Sequence, residues 1–266
     1  MPTIDDLLDR LWNDYRVLNP QAGAIHTLLE GRGERVVNDH IALRTYDDPR
    51  IGLPALAAPF VRLGYEPRGD YAFPEKKLLA KHYEHPSAKF PRVFISELKV
   101  GEFPEWFQMI VKRLIDQTPR DLAARWDFPV AARPWRVSWS DYEALRSQSE
   151  YAAWMAAFGF RANHFTVLVN ELKTFPTLES LNAFLKQNGF PLNSAGGEIK
   201  GSPAVYLEQS STLADQADVQ FTDGVHRIPA CYYEFARRHK LPDGTLYSGF
   251  VEKSADKIFE STDSRK

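Results

Sequence analysis

Two stretches of this chain carry the same order of elements, and that repetition restricts the fold more than any other feature. Asn38-Asp39-His40-Ile41-Ala42-Leu43-Arg44 opens a segment whose pattern reads strand, helix and three further strands, and Asn163-His164-Phe165-Thr166-Val167-Leu168-Val169 opens a second of the same order. Each unit closes on a strand bearing an acid, Val93-Phe94-Ile95-Ser96-Glu97 in the first and Ala230-Cys231-Tyr232-Tyr233-Glu234-Phe235 in the second. In the opening strand, His40, Ala42 and Arg44 alternate with Ile41, Leu43 and Thr45, so one face is apolar enough to pack on a helix while the other lines a cavity. The spacing predicts a covering helix over 53–63, stopped by Gly64, and strands over 65–73, 77–84 and 92–98. The second unit repeats this with a helix over 178–186, stopped by Gly189, and strands over 190–193, 204–209 and 228–236. It is the longer unit, and its surplus falls in an expected loop over 210–227.

Outside the repeats the period changes to that of helices. Thr3, with Asp6 three residues on, reads as a helix cap ahead of Leu7, Leu8 and Leu11, and a second short helix is expected over 21–29. Between the repeats, apolar positions at helical spacing predict helices over 105–115 and 140–158. The tryptophans of this insertion (Trp106, Trp126, Trp135, Trp139, Trp154) read as packing residues. The expected fold class is therefore α+β, with paired βαβββ repeats forming a central curved sheet around a cavity, an inserted helical layer and N-terminal helices. The chain reads as a single domain over 1–266, divided into N-terminal helices (1–35), first repeat (36–100), helical insertion (101–160), second repeat (161–237) and C-terminal segment (238–266). The polar stretch from 254 onward is expected to fray.

Composition narrows the function classes. A net charge of -2 without a basic stripe argues against nucleic acid as a partner. No window approaches the roughly 18 apolar residues of a membrane span. One cysteine, Cys231, cannot close an internal disulfide, and the start has neither the basic nor the apolar region of a secretory leader. A cytoplasmic protein with a small-molecule ligand is expected, its oligomeric state left open.

The two histidines head equivalent strands, and strand alternation turns His40, His164 and Glu234 toward one cavity. A histidine taken alone is more often an ordinary core or surface residue than a ligand, but matching positions in two repeats change that weighting. Two neutral imidazoles and one carboxylate form the set that binds iron(II) with positions left for substrate and oxygen, although zinc suits the same donors. Glu97 competes with Glu234, since it closes the first repeat, and stands either as a fourth ligand or as an acid supporting one. Among the remaining histidines, His82 has the best chance of facing the cavity. Arg44 lies four residues past His40 on the same face, about 13 Å along the strand. Its planar fork suits a carboxylate, against the plainer reading of an ion pair with a neighbouring acid.

These residues, together with Gly201-Ser202-Pro203-Ala204-Val205-Tyr206-Leu207-Glu208-Gln209-Ser210-Ser211-Thr212 and Arg227-Ile228-Pro229-Ala230-Cys231-Tyr232-Tyr233-Glu234-Phe235-Ala236, resemble the 2-oxoadipate dioxygenase/decarboxylase family, once known as DUF1338. The resemblance covers most of the chain and implies a fold like that of the vicinal oxygen chelate superfamily. It implies iron(II) on His40, His164 and Glu234, substrate binding by Arg44, and conversion of 2-oxoadipate and oxygen to 2-hydroxyglutarate and carbon dioxide without an organic cofactor. Gln209 and Ser202 are added as expected substrate contacts, from a cavity-facing strand and the turn before it. Bacterial members of the family are longer, which leaves the exact 2-oxo acid open. Two other readings compete: another metalloenzyme of the same fold, either a ring-cleaving dioxygenase or a glyoxalase-like isomerase or lyase, and a binding protein without turnover. A fourth ligand from Glu97 favours the isomerase or lyase, because a filled shell leaves no place for oxygen.

Overall fold

The computed structural model describes residues 2–252. Helix α1 (Ile4–Leu18) starts where expected: the Thr3 hydroxyl accepts from the Asp6 amide, the Asp6 carboxylate accepts from the Thr3 amide, and Leu7, Leu11 and Tyr15 form its buried stripe. Helix α2 (Pro20–Gly31) follows, with proline at its first position, where no amide donor is needed. The first repeat then runs as β1 (Asn38–Tyr46), α3 (Leu53–Arg62), β2 (Glu66–Phe73), β3 (Leu78–Glu84) and β4 (Arg92–Leu98), each within a residue or two of its expected range. Gly64 ends the helix at φ 97°, a conformation that favours glycine.

The inserted layer holds α4 (Glu105–Ile115), α5 (Trp139–Gln148) and α6 (Glu150–Phe158). The single helix expected over 140–158 is thus two. Ser149 takes an extended backbone (φ -150°, ψ 111°) and its hydroxyl caps α6 by accepting from the Ala152 amide, a local alternative that competes with helix continuation. Apolar periodicity alone runs through this break and hides it.

The second repeat comprises β5 (Ala162–Leu168), α7 (Leu178–Gln187), β6 (Lys200–Ser202), β7 (Leu207–Ser211), a hairpin of β8 (Gln216–Phe221) and β9 (Gly224–Pro229), and finally β10 (Glu234–Arg238). Three expectations are corrected here. Residues 190–193 make only an isolated bridge, Leu192 to Thr212, and the edge strand is β6. The stretch over 210–227 is largely a hairpin that forms a separate two-stranded sheet. The strand expected over 228–236 is split, because residues 230–233 satisfy their backbone groups elsewhere: Ala230 O accepts from the Trp154 indole, Tyr232 O from the Tyr15 hydroxyl, and the Tyr233 amide donates to the Thr212 hydroxyl. Their continuous apolar character marks a buried turn as readily as a strand. The expected fraying from 254 lies outside the described residues.

Eight strands form one strongly curled sheet in the order β2-β3-β4-β1-β5-β10-β7-β6. The order is symmetric about the antiparallel β1–β5 pair: β4 lies parallel to β1 on one side and β10 parallel to β5 on the other. Hence the α+β class and the paired βαβββ arrangement hold, with the β8–β9 hairpin as the surplus of the second unit. The alternation sends Ile41, Leu43, Phe165, Val167 and Phe235 into an apolar core. There α1 packs on β5 through Tyr15 and Phe165, whose rings lie 5.0 Å apart. The opposite, concave face carries the polar residues.

Candidate metal centre

The register of the central strands builds the centre. His40 pairs with Thr166, and Thr166 with Glu234, so these three lie side by side across β1, β5 and β10. The symmetry-related row is His164, Ala42 and Phe94 across β5, β1 and β4. The two rows bring His40, His164 and Glu234 together, with one donor atom of each within 4.8 Å of the others. His40 Nε2 lies 3.6 Å from one Glu234 oxygen and His164 Nε2 lies 3.3 Å from the other.

Each imidazole is oriented by the residue before it. Asp39 Oδ1 lies 3.4 Å from His40 Nδ1, and Asn163 Oδ1 lies 3.0 Å from His164 Nδ1. Both contacts suit a proton on Nδ1 and leave Nε2 facing the centre, the arrangement by which metal-binding histidines are oriented. Asp39 is itself gripped by the buried Arg238, whose Nε and Nη2 donate to its carboxylate at 2.6–3.0 Å. Burial raises the Asp39 pKa, but the Arg238 charge and the hydrogen bonds from His40 and Arg238 together outweigh it and keep the group ionised. Thr166 Oγ1 sits 3.1 Å from His40 Nε2, and Gln209 Nε2 donates to Glu234 Oε1 at 2.6 Å.

The electrostatics fit a cation. Burial lowers the pKa of both His40 and His164, so both stay neutral and keep a lone pair. Burial pushes the Glu234 carboxyl up to about 8 despite the Gln209 hydrogen bond. Among the described residues the groups within 4 Å of this carboxylate, which is 1% exposed, are the two neutral imidazoles and the Gln209 amide, and the charges of Arg238 and Lys200 do not offset its burial; a divalent ion would supply the missing counter-charge. The three residues therefore form a cluster able to hold a metal.

Other expected residues fall in different places. Glu97 is not part of the cluster: its register partner is Thr45, and its carboxylate accepts from the Leu53 amide at the start of α3. The true counterpart of Glu234 in the first repeat is Phe94. Arg44 is buried beneath α6, with its guanidinium over the rings of Tyr151 and Trp154 at 4.9 and 5.1 Å and Nη1 donating to Glu150 at 3.3 Å. Gln209 touches the glutamate of the centre. Ser202 does not reach it: Ser202 pairs with Leu207, four residues along β7 from Ser211, the partner of Glu234. His82 does share the row of His164, opposite Phe94 and 5.3 Å from the Phe250 ring, but its nitrogens bond Tyr71 and Glu84 and it is not part of the cluster.

Several contributors escaped sequence reasoning. The Asx–His dipeptide repeated as Asp39-His40 and Asn163-His164 was the available signal for the orienting residues. Phe250 gave none; it returns from beyond the second repeat to set its ring edge-on to His40, 4.8 Å away. Arg238 holds that segment by donating to the carbonyls of Tyr247 and Gly249.

Comparison with known proteins agrees with this picture. The family model described as 2-oxoadipate dioxygenase/decarboxylase matches residues 1–126 and 129–247. An Arabidopsis thaliana protein named "2-oxoadipate dioxygenase/decarboxylase, chloroplastic" is 35% identical over 291 residues, covering 96% of this chain and 76% of that one. The crystal structure of an Oryza sativa hydroxyglutarate synthase in complex with 2-oxoadipate superposes with a TM-score of 0.90 at 34% identity, covering 97% of this chain and 91% of that one. A Shewanella frigidimarina structure, provisionally described as a hydrolase, superposes with a TM-score of 0.91 at 51% identity, covering 95% and 99% of the two chains.

Proposed function

The chain belongs to the 2-oxoadipate dioxygenase/decarboxylase family, and from that premise we propose that it converts 2-oxoadipate and dioxygen to 2-hydroxyglutarate and carbon dioxide, with iron(II) held by His40, His164 and Glu234. The observation that carries the choice of chemistry is Phe94. At the position where a fourth protein ligand would complete the symmetric set, the chain places an apolar ring, and Glu97 is engaged at the start of α3. Three donors leave the rest of the ion's shell to substrate and oxygen, which favours a dioxygenase over a filled-shell isomerase or lyase. When bound, iron(II) supplies a Lewis-acidic, redox-active centre for the 2-oxo acid and oxygen.

The protein's own residues bind and orient. Asp39 and Asn163 hold the two imidazoles with Nε2 inward, and Gln209 holds the glutamate through Oε1. Arg44 takes the distal carboxylate of the diacid. Its place four residues past His40 on the same face supports this role, and its contact with Glu150 supports a guanidinium turned so that it can pair with a carboxylate. Gln209 acts on the substrate only through Glu234, and the register lends no support to a contact from Ser202. The single-domain reading and a cytoplasmic setting are part of the same proposal. The plant relative is named as a plastid protein; among the described residues no helix is long and apolar enough to cross a membrane. Cell fractionation tests the setting.

Anaerobic reconstitution with iron(II), followed by oxygen uptake against a panel of 2-oxo acids, tests the activity. 2-Oxoadipate should drive oxygen consumption with equimolar release of carbon dioxide, and His164→Ala should abolish both together with metal retention. Arg44→Ala should weaken dicarboxylates by about tenfold or more and monocarboxylates little. No oxygen use with any 2-oxo acid would overturn the reading.

A further inference from the structure

Tyr232 lies two residues before Glu234, at the end of the buried turn that delivers β10 to the sheet. Its ring stacks on His164, with centroids 4.7 Å apart and planes 26° from parallel. The residue is fully buried. Its backbone is pinned from behind, where the Tyr15 hydroxyl donates to its carbonyl at 2.5 Å, and Tyr15 is in turn held by Asn19. Yet among the described residues its own hydroxyl has no hydrogen-bond partner. A buried hydroxyl left unpaired destabilises the fold, and phenylalanine would fill the same space without that cost. The stack on His164 sets the phenol against an imidazole of the centre, two residues along the chain from its carboxylate.

We propose that the Tyr232 hydroxyl donates a hydrogen bond to an oxygen of the 2-oxo acid group of the bound substrate, making Tyr232 a substrate-binding residue at the metal end of the site. The inference rests on the function proposed above. The phenol is fixed in direction by its stack on His164 and by the Tyr15 anchor, so little entropy is lost when the bond forms. Arg44 would then read the distal carboxylate while Tyr232 reads the oxo acid common to every substrate.

The test is the Tyr232→Phe variant of the iron(II)-loaded protein, with anaerobic titration of 2-oxoadipate and of 2-oxohexanoate, which lacks the distal carboxylate. Affinity for both compounds should fall by the same factor, about tenfold. Iron(II) affinity should not change, and the thermal midpoint should stay level or rise, because an unpaired polar atom has been removed. A loss confined to 2-oxoadipate would place the hydroxyl at the distal end and overturn the assignment. Weakened iron(II) binding would make Tyr232 a support for His164 instead, and a lower thermal midpoint would reveal a structural partner; either result rejects the proposal, as does unchanged binding of both acids. Because the readout is binding without turnover, failure here is separate from failure of the oxygen-uptake assay.

Discussion

At the scale of single residues, the centre is held together by neighbours that are not ligands themselves. The two Asx side chains orient the imidazoles, and Arg238 secures Asp39 while tying down the segment that brings Phe250 over His40. Glu234 shows what such a site demands when no cation is present. Its pKa in the folded protein is raised by burial to about 8, from an ordinary value near 4.5. Between those values the folded state holds a proton that the unfolded state has released, so the Glu234 contribution to stability falls as pH rises through that window. His40 and His164, whose pKa values burial lowers, act in the opposite sense below their ordinary value of 6.5, so in metal-stripped protein urea unfolding should show a loss of about 2 kcal/mol between about pH 6.5 and 8. Added divalent metal should reverse it, because the ion takes the place of the proton. A flat profile above pH 6.5 in the stripped protein would show that Glu234 is solvated.

At the scale of elements, the joints set the register on which the site depends. Helix α6 ends at Gly159, which has φ 68° and lies so close to Ala132 and Arg133 that a Cβ would come within 2.4 Å of the Ala132 carbonyl oxygen. The paired backbone bonds between Ala132 and Phe160 run through this approach and lead directly into β5, the strand of His164. Gly159→Ala should therefore cost about 2 kcal/mol or more, through the unfavourable φ and the backbone clash together, measurable by denaturant titration. Helix α6 also packs Tyr151 and Trp154 against the Arg44 guanidinium, so a shift at this joint should weaken 2-oxo diacid binding as well. Stability equal to wild type would mean that the joint yields without strain.

At the scale of the whole molecule, the pseudo-twofold arrangement creates two pairs of equivalent positions, His40 with His164 and Glu234 with Phe94, and places a possible metal donor at three of the four. Phe94 occupies the fourth and packs against Tyr71 and Phe250, with ring centroids 5.5 and 4.9 Å away. Phe94→Glu places a carboxylate there. Metal content by elemental analysis should persist, while oxygen uptake falls to background as the added ligand takes the place of oxygen or substrate; undiminished uptake would refute the three-donor account. Much of this plan was legible in the chain itself. Period-two alternation at His40, Ala42 and Arg44, the matching strand of His164, and the glycine stops at Gly64 and Gly189 are local signals, written by side-chain direction and backbone freedom. These local signals set out two like units and their strand faces, and they pointed to His40 and His164 with a late acid as the groups that meet in one cluster. What the sequence left open depends on contacts between residues far apart: which acid is equivalent to Glu234, the turn at 230–233 closed by Trp154 and Tyr15, the break at Ser149, and the return of Phe250 onto His40. Register across strands and satisfaction of buried backbone groups are decided only when the elements meet, because a one-residue shift in pairing changes every neighbour while leaving the local pattern untouched.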